Sequence, residues 1–230
     1  MTSYPKTISA NPAENLKAVL ARIEAARETA IAPAKQTQLI AVTKGHSAER
    51  ILPLLEAGHR LFGENRVQEA KAKWPELRAR FPDVELHLIG PLQTNKVREA
   101  LQLFDAIHSL DRMKLADALK TEIANSVKSM QLFIEVNTGE EAQKSGLAPK
   151  ETASFARLCR DALALPVAGL MCIPPLDEEP ALNFALLRKL ASECGLAFLS
   201  MGMSDDFETA IRFGATHVRV GTAIFGARGA

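Results

Sequence analysis

Cysteine is scarce in this chain of 230 residues. The three present, Cys159, Cys172 and Cys194, are odd in number and widely spaced, with no C-x-x-C pair. That argues against a disulfide framework and leaves a structural zinc site without ligand spacing, so buried free thiols in a reducing compartment are expected. An excess of one charge is missing as well. Lys plus Arg total 28 against 27 for Asp plus Glu, a net of +1. This balance speaks against a dedicated nucleic-acid binder and against a basic membrane-surface protein. No run approaches the roughly 18 apolar residues of a transmembrane helix. The opening Met1-Thr2-Ser3-Tyr4-Pro5-Lys6 has no apolar h-region, so no signal peptide is expected and the expected location is cytoplasmic. No Gly/Ser linker or low-complexity stretch divides the sequence.

What is present is a repeating alternation. Hydrophobic residues make up 47% and charged residues 24%, an ordinary globular balance. Asn11-Pro12 opens a helix, with Asn as N-cap and Pro at the first helical position, and Leu16, Val19, Leu20 and Ile23 follow at helical spacing. Strand-like runs come next: 38–43, 59–62, 84–89, 105–108, 131–136, 166–171, 197–200 and 216–220. Helical periodicity fills the gaps, as in Ile51, Leu54 and Leu55 or Leu115, Leu119 and Ile123. Strands alternating with helices imply parallel pairing through right-handed crossovers. Eight such units predict one domain over 1–230, a (β/α)8 TIM barrel with an extra N-terminal helix. An open doubly wound sheet is the alternative.

In such barrels the chemistry sits where strands end. The first strand ends at Lys44, where partial burial would favour a neutral amine able to attack an aldehyde and form a Schiff base; the plain alternative is a solvated loop lysine. His46 reads as a polar loop residue and Ser47 as a helix cap. After the second strand, Asn65 caps the next helix or faces the site. His87 shares a face with Ile89 and is either a hydrogen-bonded interior histidine or a pocket residue. Ser109, Asn137 and Met171 end later strands, Asp111-Arg112 reads as another cap, and 138–146 as a polar loop, solvated or a lid. The last two loops are the most informative. Met203-Ser204 and Gly221-Thr222 follow strands seven and eight, where barrels bind phosphate at helix N-termini. Ser204 is placed to cap a helix starting at Asp205, with Asp205 and Asp206 pointing outward because they would repel a dianion. Arg219, inside strand eight, forms either a structural salt bridge or a contact to a ligand nitrogen. A lysine, a phosphate cradle and an arginine at one mouth suit a phosphorylated aldehyde, of which pyridoxal 5'-phosphate (PLP) is one.

Six stretches then stand out: AVTKGHS (41–47), FGENRVQEA (62–70), HLIGPLQTNK (87–96), GLMCIPP (169–175), SMGMSDDFETAI (200–211) and VRVGTAIFGAR (218–228). Together they resemble the PLP homeostasis protein family across nearly the whole chain. The resemblance implies a barrel like the N-terminal domain of alanine racemase, with Lys44 as the Schiff-base lysine and Arg219 at the pyridine nitrogen. Ser204, Gly221 and Thr222, with the Met203 backbone and Ser200, would hold the phosphate. Asn65, His87 and Met171 would lie near the cofactor. A two-base racemase needs a tyrosine opposite the lysine, and the single tyrosine here is Tyr4. A non-catalytic PLP carrier for amino-acid balance and PLP-dependent apo-enzymes is therefore expected, and the resemblance implies a monomer. The alternatives are a weak PLP enzyme and a cofactor-free Schiff-base aldolase acting on a sugar phosphate.

Overall fold

The computed structural model describes residues 9–31, 33–126 and 128–227; Tyr4 lies outside them. Eight strands form one closed parallel barrel in chain order. They are β1 (Gln38–Val42), β2 (Leu61–Glu64), β3 (Glu85–Leu88), β4 (Ala106–Leu110), β5 (Gln131–Glu135), β6 (Val167–Met171), β7 (Phe198–Ser200) and β8 (His217–Val220). β8 returns to β1 with Ile40 opposite Arg219, which closes the ring and rules out the open sheet.

Each predicted strand run is present, with shifted ends. The largest shift is at β2, which begins at Leu61 and not at His59. The physical reason is local. The His59 amide donates to the Leu54 carbonyl at 2.9 Å, so His59 still closes the preceding helical turn, while the Arg60 carbonyl accepts the Glu85 amide at 2.8 Å as the strand begins. At the other end Gly63 lets the strand continue, because a Cβ there would meet Ile40 Cγ2 at 2.7 Å inside the barrel.

The helices outside the ring are α1 (Pro12–Glu28), α2 (Ala48–Glu56), α3 (Val67–Arg80), α4 (Val97–Leu103), α5 (Met113–Ile123), α6 (Pro149–Arg157), α7 (Pro180–Glu193), α8 (Phe207–Arg212) and α9 (Thr222–Phe225). α1 is capped as expected: the Asn11 side chain accepts from the Ala13 amide at 3.0 Å and Pro12 opens the helix. It buries Leu16, Val19 and Ile23 against α2, α8 and α9. Asn15 ties it to the chain's far end by donating to the Ile224 carbonyl at 2.8 Å. Among the described residues no helix is long and apolar enough to cross a membrane.

Two apolar cores result. The large one lies between the outer strand faces and the helices and contains Leu54, Trp74, Leu115 and Phe184. The small one fills the barrel's centre with Ala106, Phe133 and Met171. Rings from five strands meet beside it, His87, His108, Phe133, Phe198 and His217, which identifies them as interior side chains.

Candidate functional site

The C-terminal mouth holds a cavity of about 190 Å³. Seven predicted residues line it together: Lys44, Asn65, Met203, Ser204, Arg219, Gly221 and Thr222. Val42, Ile89, Ile173 and Asp205 complete the wall. Ile89 was legible from its alternation with His87.

Lys44 sits half-buried just past β1, on a turn held from α3. Lys73 Nζ donates to the carbonyls of Thr43 at 2.8 Å and His46 at 3.0 Å. The Gly45 amide donates to Glu69 Oε1 at 2.5 Å, and Gly45 takes the left-handed φ of 75° that the turn requires. Lys73 also pairs with Glu64, 0% exposed, at 2.8 Å and with Glu69 at 3.0 Å. Glu64 further accepts from Thr43 Oγ1 at 2.5 Å and Trp74 Nε1 at 3.0 Å. Burial pushes the Glu64 carboxyl upward, with Lys73 pulling against it. Sequence reasoning missed this clamp. Glu69 and Lys73 look like a surface i,i+4 pair; the available signal was Glu64, an acid within an apolar strand. His46 stacks on Phe225 with centroids 4.5 Å apart. Ser47 stands at the α2 N-cap position without a side-chain bond to a helix amide.

Asn65 does not cap α3; Arg66 precedes that helix. Gly90 explains the shift, since a Cβ there would collide with the Asn65 backbone. Asn65 Oδ1 is left buried without a hydrogen-bond partner, an acceptor open to a ligand donor. Arg219 is 4% exposed and donates to Ser200 Oγ at 2.7 Å and to the Cys172 carbonyl at 2.9 Å. Both acceptors are neutral, so the salt-bridge alternative is not what holds it, and burial lowers its pKa from the ordinary value.

The loop after β7 differs from expectation. α8 starts at Phe207, so Ser204 does not cap it; its hydroxyl accepts from the Ala223 amide of α9 at 3.3 Å and joins the last two loops. Asp206 turns inward, and Oδ1 takes the Met203 amide at 2.6 Å. That amide is thereby committed to a carboxylate and not to an external anion. Asp205 is exposed but lines the cavity, so the two acids do not both point away from it. Gly221 keeps β8 close to β1: a Cβ would lie 3.3 Å from the Val42 carbonyl oxygen.

His87, Met171 and Ser200 do not line the cavity. All three lie deeper in the barrel. Alternation fixed the face of His87 but not its depth. It bonds His108 at 3.0 Å and Glu85 at 2.8 Å, the hydrogen-bonded interior alternative. Met171 belongs to the central apolar cluster, and Ser200 supports Arg219 from below.

A second cavity of about 220 Å³ adjoins the first across Ile173, lined by Glu135, Asn137, Lys144 and Ser145. Burial, then the nearby Asp111 charge, pushes the Glu135 carboxyl up to about 7. The polar segment 138–146 is folded onto the barrel end. Asn137 Nδ2 donates to the Glu141 carbonyl at 2.8 Å, and Lys144 Nζ to that of Pro174 at 3.3 Å. The cysteines are free thiols, with Cys159 and Cys172 buried. No metal-holding cluster of acidic, His and Cys side chains occurs among the described residues.

Comparison with known proteins places this geometry. A family model described as alanine racemase, N-terminal domain, matches residues 15–229. The pyridoxal phosphate homeostasis protein of Pseudomonas aeruginosa is 42% identical, over 94% of this chain and 95% of the relative. That of Escherichia coli is 37% identical, over 94% and 96%. PipY of Synechococcus elongatus, solved with PLP bound, superposes with a TM-score of 0.81 at 37% identity, covering 94% of this chain and 100% of that one. Alanine racemase of Clostridium difficile shares the fold at 14% identity, with a TM-score of 0.71 over 94% of this chain and 57% of the racemase.

Proposed function

The chain belongs to the family of pyridoxal phosphate homeostasis proteins, and from that premise we propose that it binds pyridoxal 5'-phosphate covalently through Lys44 and serves intracellular PLP homeostasis without catalytic turnover. The observation that carries this reading is the sharing of one cavity of about 190 Å³ by Lys44, Arg219 and the unpartnered Asn65 Oδ1. That volume is below the roughly 300–1,000 Å³ of drug-sized sites and suits a small ligand. When bound, PLP supplies an aldehyde that condenses with a primary amine and a ring that can draw electrons from the product.

The chain's own groups then have separable tasks. Lys44 offers the amine from a turn fixed by Lys73 and Glu69. Arg219 would face the ring nitrogen as a donor that does not give up its proton, which leaves the ring a poor electron sink. Ser204, Gly221 and Thr222 would hold the phosphate, and Asn65 would accept from the ligand. With the Met203 amide held by Asp206, fewer backbone amides than the sequence suggests would be available to a phosphate. A weak sink, and no tyrosine opposite the lysine among the described residues, favour storage and delivery over racemisation. Delivery to PLP-dependent apo-enzymes, a monomeric state and a cytoplasmic location belong to the same proposal.

The test is an absorbance spectrum of wild type and Lys44→Ala, before and after borohydride, followed by peptide mapping. The expected result is a cofactor band in the wild type, a reduced pyridoxyl group on Lys44, and loss of both in the variant. A colourless wild type that PLP cannot reconstitute overturns the reading in favour of a cofactor-free Schiff-base lysine acting on a sugar phosphate. Efficient exchange of an amino-acid α-proton with solvent deuterium would overturn the non-catalytic part alone.

A further inference from the structure

A single file of hydrogen bonds runs through the barrel from one mouth to the other. Arg219 Nη1 donates to Ser200 Oγ at 2.7 Å. Ser200 Oγ meets His108 Nδ1 at 2.9 Å. His108 Nε2 meets His87 Nδ1 at 3.0 Å. His87 Nε2 meets Glu85 Oε1 at 2.8 Å. Arg219 lines the C-terminal cavity, whereas Glu85 lines a different cavity at the N-terminal mouth, together with Gln38, Gln131 and His217. The three middle members are fully buried and Glu85 is partly exposed.

With both rings neutral, the carboxylate end fixes the direction of every proton between the two ends. A guanidinium only donates and an ionised carboxylate only accepts. Ser200 accepts from Arg219 and, because neutral His108 with its proton on Nε2 has a bare Nδ1, gives its one proton to that nitrogen. His108 must carry its proton on Nε2 and donate to His87 Nδ1. His87 must also carry its proton on Nε2 and donate to Glu85. With neutral rings, reversing the two tautomers would set the bare His87 Nε2 against the carboxylate oxygen, two acceptors 2.8 Å apart. Burial holds the His108 pKa well below its ordinary value, which keeps that ring neutral. The file is thus polarised from a buried cation to a distant anion, each bond strengthening the next. The direct acceptors of the buried arginine are both uncharged, so its charge is balanced at a distance, by Asp206 and Glu135 nearby and by the polarised file.

We propose that Glu85, at the opposite mouth, is a positioning residue for Arg219: through His87, His108 and Ser200 it holds the guanidinium in place toward the bound cofactor. The proposal rests on the PLP reading above, but the proton arrangement does not, and the test separates them.

Histidine-15N-labelled protein without added PLP is examined by long-range proton–nitrogen correlation near pH 7.5, beside Glu85→Leu and Glu85→Gln, and PLP affinity is titrated for all three. The expected wild-type spectrum shows His87 and His108 both neutral and protonated on Nε2. Glu85→Leu should move the His108 Nδ1 resonance, two bonds along the file, and weaken PLP about fivefold, the scale of one net hydrogen bond. Glu85→Gln keeps an acceptor oxygen and should restore most of both signals. A proton on His108 Nδ1, a doubly protonated His87, or a His108 signal and PLP affinity indifferent to Glu85→Leu overturns the proposal. Correct tautomers in a wild type that binds no PLP sinks the cofactor reading and the role assigned to Glu85 with it, while leaving the proton file intact.

Discussion

The N-terminal mouth has the larger cavity, about 720 Å³ against 190 and 220 Å³ at the C-terminal mouth. Yet its polar groups satisfy one another. Thr216 Oγ1 takes the Leu199 amide at 2.8 Å and meets His217 Nδ1 at 2.8 Å, and Glu85 meets His87. At the other end Glu64 Oε2, Asn65 Oδ1 and Ser109 Oγ are buried without hydrogen-bond partners. Buried polar atoms are nearly always paired, so unpaired ones need a reason. Volume alone favours the N-terminal mouth; uncommitted acceptors beside a held lysine favour the C-terminal one.

Lys73→Met should separate the mouths most strongly. It removes the cation from fully buried Glu64 and both carbonyl contacts that hold the Lys44 turn. Breaking one side of a buried pair costs about 3–5 kcal/mol. Urea unfolding should show that loss, and PLP affinity should fall with it. A stable variant with unchanged affinity would show that the turn holds itself.

Glu135→Gln tests the adjoining cavity through pH. Glu135 titrates near 7 when folded and near 4.5 when free. Between those values the folded state binds more protons than the unfolded one, so this group's contribution falls as pH rises through the window. Glutamine removes that fall. The variant should match the wild type near pH 4.5 and exceed it at pH 8 by about 2 kcal/mol, allowing for partial exposure. A urea series showing equal stabilities at pH 8 would mean that Glu135 is well solvated.

The sequence made the scaffold legible because its signals are local. Alternation and turn residues mark each strand, and eight units of this length close more readily than they stay open. The lining of the candidate cavity was legible wherever a position at or near a strand end sufficed, as for Lys44, Arg219 and Gly221. It failed where two elements had to meet. The Glu69 and Lys73 clamp depends on where α3 packs, and the Asp206 contact to Met203 on a turn that periodicity does not encode. His87 shows the third limit: alternation assigns a face, while depth along the barrel axis depends on strand stagger.

The smallest expected effect bears most directly on the two mouths. Thr216→Val deletes a hydroxyl that takes the Leu199 amide and meets the His217 ring, 3% exposed. Burial, with the neighbouring His87 and Arg219, pushes His217 down to about 3, so the ring stays neutral and its lost partner is a dipole and not a charge. The cost should be about 1 kcal/mol in urea unfolding. Thr216 lies outside the file from Glu85 to Arg219, so PLP affinity should stay within about twofold of wild type. Glu85→Leu at the same mouth leaves the buried His87 Nε2–H without its acceptor, so it should cost at least as much stability and weaken the cofactor as well. If Thr216→Val also weakened PLP about fivefold, the whole N-terminal mouth would be coupled to the site by packing, and the hydrogen-bonded file would no longer be needed to explain the effect of Glu85.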